Sequence, residues 1–181
     1  MPPAMRAPKG TRPALRLVEG TTSQVAAWSW FCGHCAAPAP GDEAPSPSAR
    51  VCPSCGLGLL LEARSDAVPT ERDAFLVVDR ALLVQAMSRR AQQLLAVSEE
   101  EAVNRPISEL LVSADAEAQG NRIAIAIADA AQGTGEPVSV VVRPWNTFGV
   151  RLRVRIAPCG PPRAALLVMQ APQPRMLRAV D

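Results

Sequence analysis

The stretch "DAFLVVDRALLVQAMSRRAQQLLAVSEEEAVNRPISELL", residues 73–111, decides the fold. It opens with two short apolar runs, Phe75 to Val78 and Leu82 to Ala86, separated by Asp79-Arg80. Runs of this length, broken by a polar pair, predict two strands joined by a turn. Ser88 then stands just ahead of "RRAQQLLA", where its hydroxyl is placed to accept an N–H of a first helical turn. Ser98 and Glu101 repeat the signal in the spacing of a capping box. "NRPISELL" predicts a further short helix after a turn.

Downstream, "SADAEAQGNRIAIAIADAAQG" spans residues 113–133. Its Ile123, Ile125 and Ile127 alternate, which alone suggests a strand; the alanine content and the length of the run predict a helix instead, with Ile123 and Ile127 on one face. Three strands should close the domain: "PVSVVVRP" (137–144), "FGVRLRVRIAP" (148–158) and "RAALLVMQA" (163–171). In the middle one, Leu152, Val154 and Ile156 share one face, and Arg151, Arg153 and Arg155 the other. Pro144-Trp145-Asn146 and Cys159-Gly160-Pro161-Pro162 read as the turns between them.

Upstream, "WFCGHC" (30–35) and "VCPSCG" (51–56) place two C-x2-C pairs sixteen residues apart. That spacing points to Cys32, Cys35, Cys52 and Cys55 as a four-thiolate zinc site rather than a redox dithiol or a disulfide framework. Gly33 and Gly56 lie where tight knuckles need conformational freedom. Four thiolates close the coordination sphere, so the metal is expected to be structural. His34, the chain's one histidine, is expected to be an exposed knuckle residue rather than a ligand. Trp28 and Trp30 share a strand face just before the first knuckle; beside Phe31 they read as caps of the small domain or its junction, with base stacking as the alternative. Residues 26–64 resemble a zinc ribbon, and the Pro- and Ala-rich stretch between its knuckles reads as a mobile loop.

The order β-β-α-α-α-α-β-β-β over residues 69–171 resembles a PAS domain, most clearly in the quoted stretch, although Asn104 stands where that family usually has glycine. The resemblance implies an α+β protein, a small zinc ribbon plus a five-stranded antiparallel sheet with helices on one face. It implies a sensor or interaction module that dimerises or binds a signalling partner through its sheet face or through the segment before Phe75. The pocket lining it implies is Leu94, Leu95, Ile107, Leu110, Leu111, Ile123, Ile127, Val140, Val142, Leu152 and Val154; the same residue types make a dry core, which is the plainer reading. Haem ligation through histidine is not expected, because His34 lies in the ribbon, and covalent flavin chemistry lacks a cysteine on a central helix. Non-covalent flavin, with Trp145 or Asn146 against its ring, remains as a ligand alternative, less expected than none. Cys159 reads as a free thiol in a turn rather than a redox sensor.

The whole chain has 181 residues, 48% of them hydrophobic, with a net charge of +2. It divides into a basic arm (1–25), the ribbon (26–64), the PAS-like domain (65–171) and a tail (172–181). No run approaches the ~20 apolar residues of a membrane span, and the N-terminus lacks a signal-peptide pattern, so a cytoplasmic protein is expected. No nucleophile–histidine set or phosphate-binding glycine loop is present, which speaks against an enzyme. Two functions follow: a bacterial signalling module whose output lies in another protein, or a nucleic-acid binder using Arg6, Lys9, Arg12 and Arg16 with Trp28 and Trp30.

Overall fold

The computed structural model describes residues 27–41, 44–114, 121–133, 136–147 and 149–170. The arm with Arg6, Lys9, Arg12 and Arg16 and the tail from residue 172 lie outside them. In chain order the strands are β1 (Trp28–Cys32), β2 (Leu60–Arg64), β3 (Ala74–Val78), β4 (Val84–Met87), β5 (Leu111–Ser113), β6 (Val138–Pro144), β7 (Leu152–Gly160) and β8 (Ala164–Gln170). The helices are α1 (Arg89–Leu95), α2 (Glu99–Ala102) and α3 (Arg122–Ala131), with a 3₁₀ turn at Ile107–Glu109.

All the strand pairs are antiparallel and form one curled sheet in the order β1-β2-β7-β8-β3-β4, with β6 beside β7 and β5 beside β6. The five strands expected of the larger domain, β3, β4, β6, β7 and β8, are all present. The ribbon adds to them. On one edge of β7, Leu152 to Ile156 pair with β6 while Cys159 and Gly160 pair with Ala63 and Glu62 of β2. One strand therefore serves both parts of the molecule.

This shared sheet explains why β3 is buried at all five positions. Its inner side, Ala74, Leu76 and Val78, packs with α1 and α3 into the main core. Its outer side, Phe75 and Val77, packs with Phe31, Leu61 and Ala63 of the ribbon, together with Leu166 and Ala164 of β8. Phe31 meets Phe75 edge-on, with centroids 6.2 Å apart and planes at 78°. Full burial of an aromatic of this size removes enough apolar surface from water to stabilise by about 2–3 kcal/mol. The ribbon thus covers part of the apolar outer face of the sheet.

Local signals set the helices. Ser88 Oγ accepts from Ala91 N (3.2 Å) and from Phe75 N (2.9 Å), so the α1 cap also fastens the start of β3. The capping box of α2 is formed, with Glu101 N on Ser98 Oγ (3.3 Å) and Ser98 N on Glu101 Oε2 (3.1 Å). Ile123 and Ile127 are buried while Ile125 is 57% exposed, as a helix over 122–131 requires. Asn104 has φ +65°, a left-handed position that suits glycine and that asparagine tolerates better than other residues.

Two expectations need correction, the start of the second strand and the place of Cys159. The β3–β4 turn runs to Leu83, because Leu82 has φ +64° and Asp79 Oδ1 accepts from both Ala81 N (2.8 Å) and Leu83 N (3.0 Å). The ends of the loop between the knuckles are anchored, with Ala39 N donating to Trp30 O (3.0 Å) and Leu60 N to Arg50 O (2.7 Å). Cys159 is not in a turn. It is a buried residue of β7 between Ala63 and Ala164, and burial pushes its thiol up to about 12. Reactive cysteines are exposed and electropositive, and Cys159, buried in the sheet, has neither feature.

Candidate functional site

Each C-x2-C pair makes a knuckle of the same form. Ala36 N returns to Cys32 O (3.0 Å) and Gly56 N to Cys52 O (2.9 Å). The residue after the second cysteine takes the left-handed conformation in both, with φ +62° at Ala36 and +67° at Gly56. Of the two glycines expected to supply freedom, Gly56 does so; Gly33 instead sits close to Leu61, where a Cβ would come within 3.1 Å of the side chain.

The knuckles bring Cys32, Cys35, Cys52 and Cys55 together, with all four Sγ atoms within 4.8 Å of one another. Cys32 and Cys55 are 3.7 Å apart, and Cys35 and Cys52 3.9 Å. A tetrahedron of sulfurs about 2.3 Å from a central ion has edges of about 3.8 Å, so the cluster fits a metal ion. Backbone N–H groups point at the sulfurs: His34 N and Cys35 N at Cys32 Sγ (both 3.4 Å), and Gly58 N at Cys55 Sγ (3.5 Å). Burial pushes the Cys32 and Cys35 thiols up. At Cys55 burial acts the same way but is outweighed by the Gly58 and Leu57 amides, which hold the thiol down at about 6. Gly58 has a further part that spacing does not reveal. A Cβ there would lie 2.4 Å from Cys32 Sγ.

His34 is not an exposed knuckle residue. Its Nδ1 lies 2.8 Å from Glu99 Oε2 at the start of α2, with the imidazole 20% exposed. Glu99 Oε1 also accepts from Met87 N (3.0 Å). One carboxylate therefore joins the first knuckle, β4 and α2. Nothing local in "SEEEAV" distinguishes Glu99 from its neighbours, so this contact was invisible in the sequence.

Among the expected pocket residues, Leu95, Ile107, Leu110, Leu111, Ile123, Ile127, Val140, Val142, Leu152 and Val154 are all buried in the main core. Leu94 stands apart, 40% exposed on the other side of α1. Where the 3₁₀ turn, β5 and α3 meet, a cleft of about 490 Å³ opens onto Ile107, Leu111 and Ile123, with Arg143 and Trp145 also lining it. Ser113 lines it too; its hydroxyl is buried and has no hydrogen-bond partner among the described residues. Trp145 is 61% exposed, and Asn146 Oδ1 is 3.2 Å from Thr147 Oγ1.

Trp28 is half exposed, whereas Trp30 packs beside the cysteines with the Arg50 guanidinium 6.0 Å from its ring centre. Arg151 and Arg153 are exposed, whereas Arg155 is partly buried. Arg155 bonds to the carbonyl and carboxylate of Asp66. Arg64 bonds to Asp66 (3.2 Å) and to Glu136. Among the described residues no helix is long and apolar enough to cross a membrane.

Comparison with known proteins agrees with this architecture. No curated protein matches the chain. Among solved structures, the chain is similar to a PAS domain from Colwellia psychrerythraea, at 16% identity over 57% of this chain and 88% of that one, with a TM-score of 0.45. It is similar to the PAS domain of nitrogen regulation protein NR(II) from Vibrio parahaemolyticus, at 18% identity over 55% and 89%, with a TM-score of 0.40. It is also similar to the PAS domain of the Cronobacter turicensis RpfR quorum-sensing receptor, in complex with BDSF, at 13% identity over 59% and 99%, with a TM-score of 0.43. The profile of the PAS fold matches residues 62–170, well over half of the chain and all of the sheet from β3 to β8. On that match the chain belongs to the PAS family, with a four-cysteine, metal-compatible knuckle pair ahead of and joined to its sheet.

Proposed function

We propose that the protein is a bacterial, cytoplasmic signalling module in which the PAS domain senses a small molecule and passes the signal to a partner protein. The cleft beside Ser113 carries this reading. A buried hydroxyl without a partner costs about 1–3 kcal/mol, and a ligand group bonding to Ser113 would recover it. The apolar body of such a ligand would lie against Ile107, Leu111 and Ile123.

Zinc is the ion proposed for Cys32, Cys35, Cys52 and Cys55, supported by the sulfur tetrahedron and its amide donors. With four protein ligands it has no open position, so it would supply structure and no reaction step. Nucleic-acid binding has less support, because Arg155 and Arg64 are engaged by acids and Trp30 by Arg50. A salt-dependent shift of random DNA or RNA by the full chain would favour it.

Native mass spectrometry of the protein as purified is the test. The expected result is one zinc per chain and a bound small molecule whose mass is lost in Ser113→Leu. A zinc-loaded chain with neither small molecule nor partner would overturn sensing. Four thiols free to alkylation in the native protein would overturn the metal site.

A further inference from the structure

One carboxylate ties the first knuckle to the helices of the larger domain. His34 stands between Cys32 and Cys35, and its backbone N–H points at Cys32 Sγ (3.4 Å), so the thiolates fix where its side chain begins. The imidazole Nδ1 is 2.8 Å from Glu99 Oε2. Glu99 Oε1 accepts from Met87 N (3.0 Å) at the end of β4. Both side chains of the clasp are largely shielded from water, and hydrogen bonds to an ionised group are stronger than neutral ones.

From Glu99 the backbone leads directly to the cleft at Ser113. Val103 N returns to Glu99 O (2.9 Å) and Arg105 N to Ala102 O (3.1 Å), which closes α2. The chain then pairs with β4 and the turn before it: Asn104 N donates to Val84 O (2.8 Å), Val84 N to Arg105 O (3.0 Å) and Ile107 N to Leu82 O (2.8 Å). Leu82, Pro106, Ile107 and Ser108 line the cleft. Between Ala102 and Ile107 no residue is buried. This wall is therefore held by its backbone bonds and by the position of α2, and segments with few buried contacts are where a fold opens first.

We propose that the metal state of the four cysteines sets the order of this cleft wall, with His34 and Glu99 as the positioning residues. While the knuckle is fixed, His34 holds Glu99, α2 stays against β4, and residues 104–107 stay paired with residues 82–84. Release of the knuckle frees Glu99 Oε2, and the pairing opens more often. By linkage, metal at the knuckles and a molecule in the cleft then favour one another. The proposal rests on the small-molecule reading only for the use of the cleft.

Residue-resolved amide hydrogen exchange of the full chain tests it, in the zinc-loaded parent, the chelated parent, and zinc-loaded His34→Ala and Glu99→Ala. The Asn104 and Ile107 amides should exchange about tenfold faster in the chelated parent and in both zinc-loaded variants, the scale of losing one hydrogen bond to a charged group. The β8 amides of Leu166 and Leu167 should keep the parent rate in the zinc-loaded variants. Chelating His34→Ala should add less than about twofold at Asn104 and Ile107, because the route is already cut. Unchanged exchange of those two amides in the zinc-loaded variants would overturn the proposal. So would a rise on chelating His34→Ala as large as the parent's, since the metal would then act through Phe31 and Phe75. Should His34→Ala fail to load zinc, Glu99→Ala, outside the knuckles, decides by the same two amides. No added molecule is needed, so failure of the small-molecule reading in mass spectrometry leaves this result untouched.

Discussion

Two residues hold positions that few side chains accept. Gly58 passes so close to Cys32 Sγ that Gly58→Ala must open the knuckle. Groups that orient metal ligands typically contribute 10- to 100-fold in affinity, and Gly58→Ala should lose roughly that, measured by competition with a chromophoric chelator. Asn104, at φ +65°, is the second. Asn104→Val should lose about 1–2 kcal/mol of stability in urea unfolding, while Asn104→Gly should be close to neutral. Equal losses in the two variants would mean that the backbone conformation is not what selects asparagine. The departure from the family's glycine is thus conservative in backbone terms. His34 shows the opposite case: its sequence context gave an exposed residue, and the fold supplied Glu99 from the distant first turn of α2.

At the level of elements, caps and charge clasps were legible to different degrees. Ser88 and Ser98 were both readable as caps, because capping needs only local spacing. Their burial was not readable, and it separates their energetics. Ser88→Ala orphans the buried Phe75 and Ala91 amides and should cost about 1–3 kcal/mol. Ser98→Ala, at an exposed box, should cost less, about 0.5–1 kcal/mol, in the same thermal unfolding series. The alternation of β7 was legible as far as Ile156. Beyond it, "APCGPP" reads as a turn, and only the pairing with β2 extends the strand through Gly160. Three-residue β5 left no signal, since its run is too short to show a period. Asp66, just after β2, clasps β7 through Arg155. Burial would raise its carboxyl, but Arg155 and then Arg64 outweigh that and hold it below the ordinary value. A depressed carboxyl stabilises above its unfolded pKa of about 4 and loses that contribution as pH falls through the depressed value. Thermal stability should therefore drop on acidification below about pH 4 less steeply in Asp66→Asn than in the parent chain.

For the molecule as a whole, the cysteine cluster and the sheet are parts of one packing unit. The cysteine set was legible because thiolate chemistry fixes its spacing; its placement was not, because Phe31 reads equally well as a ribbon cap or as a junction residue. Phe31 proves to be fully buried against Phe75, on the far side of the sheet from the helices. Removing the metal with a strong chelator should therefore do more than loosen the knuckles. Phe75, Val77 and Leu166 should lose their cover, seen as increased binding of a hydrophobic dye and faster amide exchange in β3 and β8. A chelated protein with unchanged exchange in those strands would show that the two cores are independent.

The shared strand also imposes an order on synthesis. Both knuckles are complete once residue 58 has left the ribosome, whereas Cys159 and Gly160, which close the edge of β2, come about a hundred residues later. During that interval the nascent chain carries a complete cysteine knuckle pair beside an open strand edge and an unburied Phe31. Unpaired edges and exposed aromatics are where growing chains misassociate. Early metal capture would hold that edge in register until β7 arrives, so cellular yield should depend on metal supply during translation, not only after it.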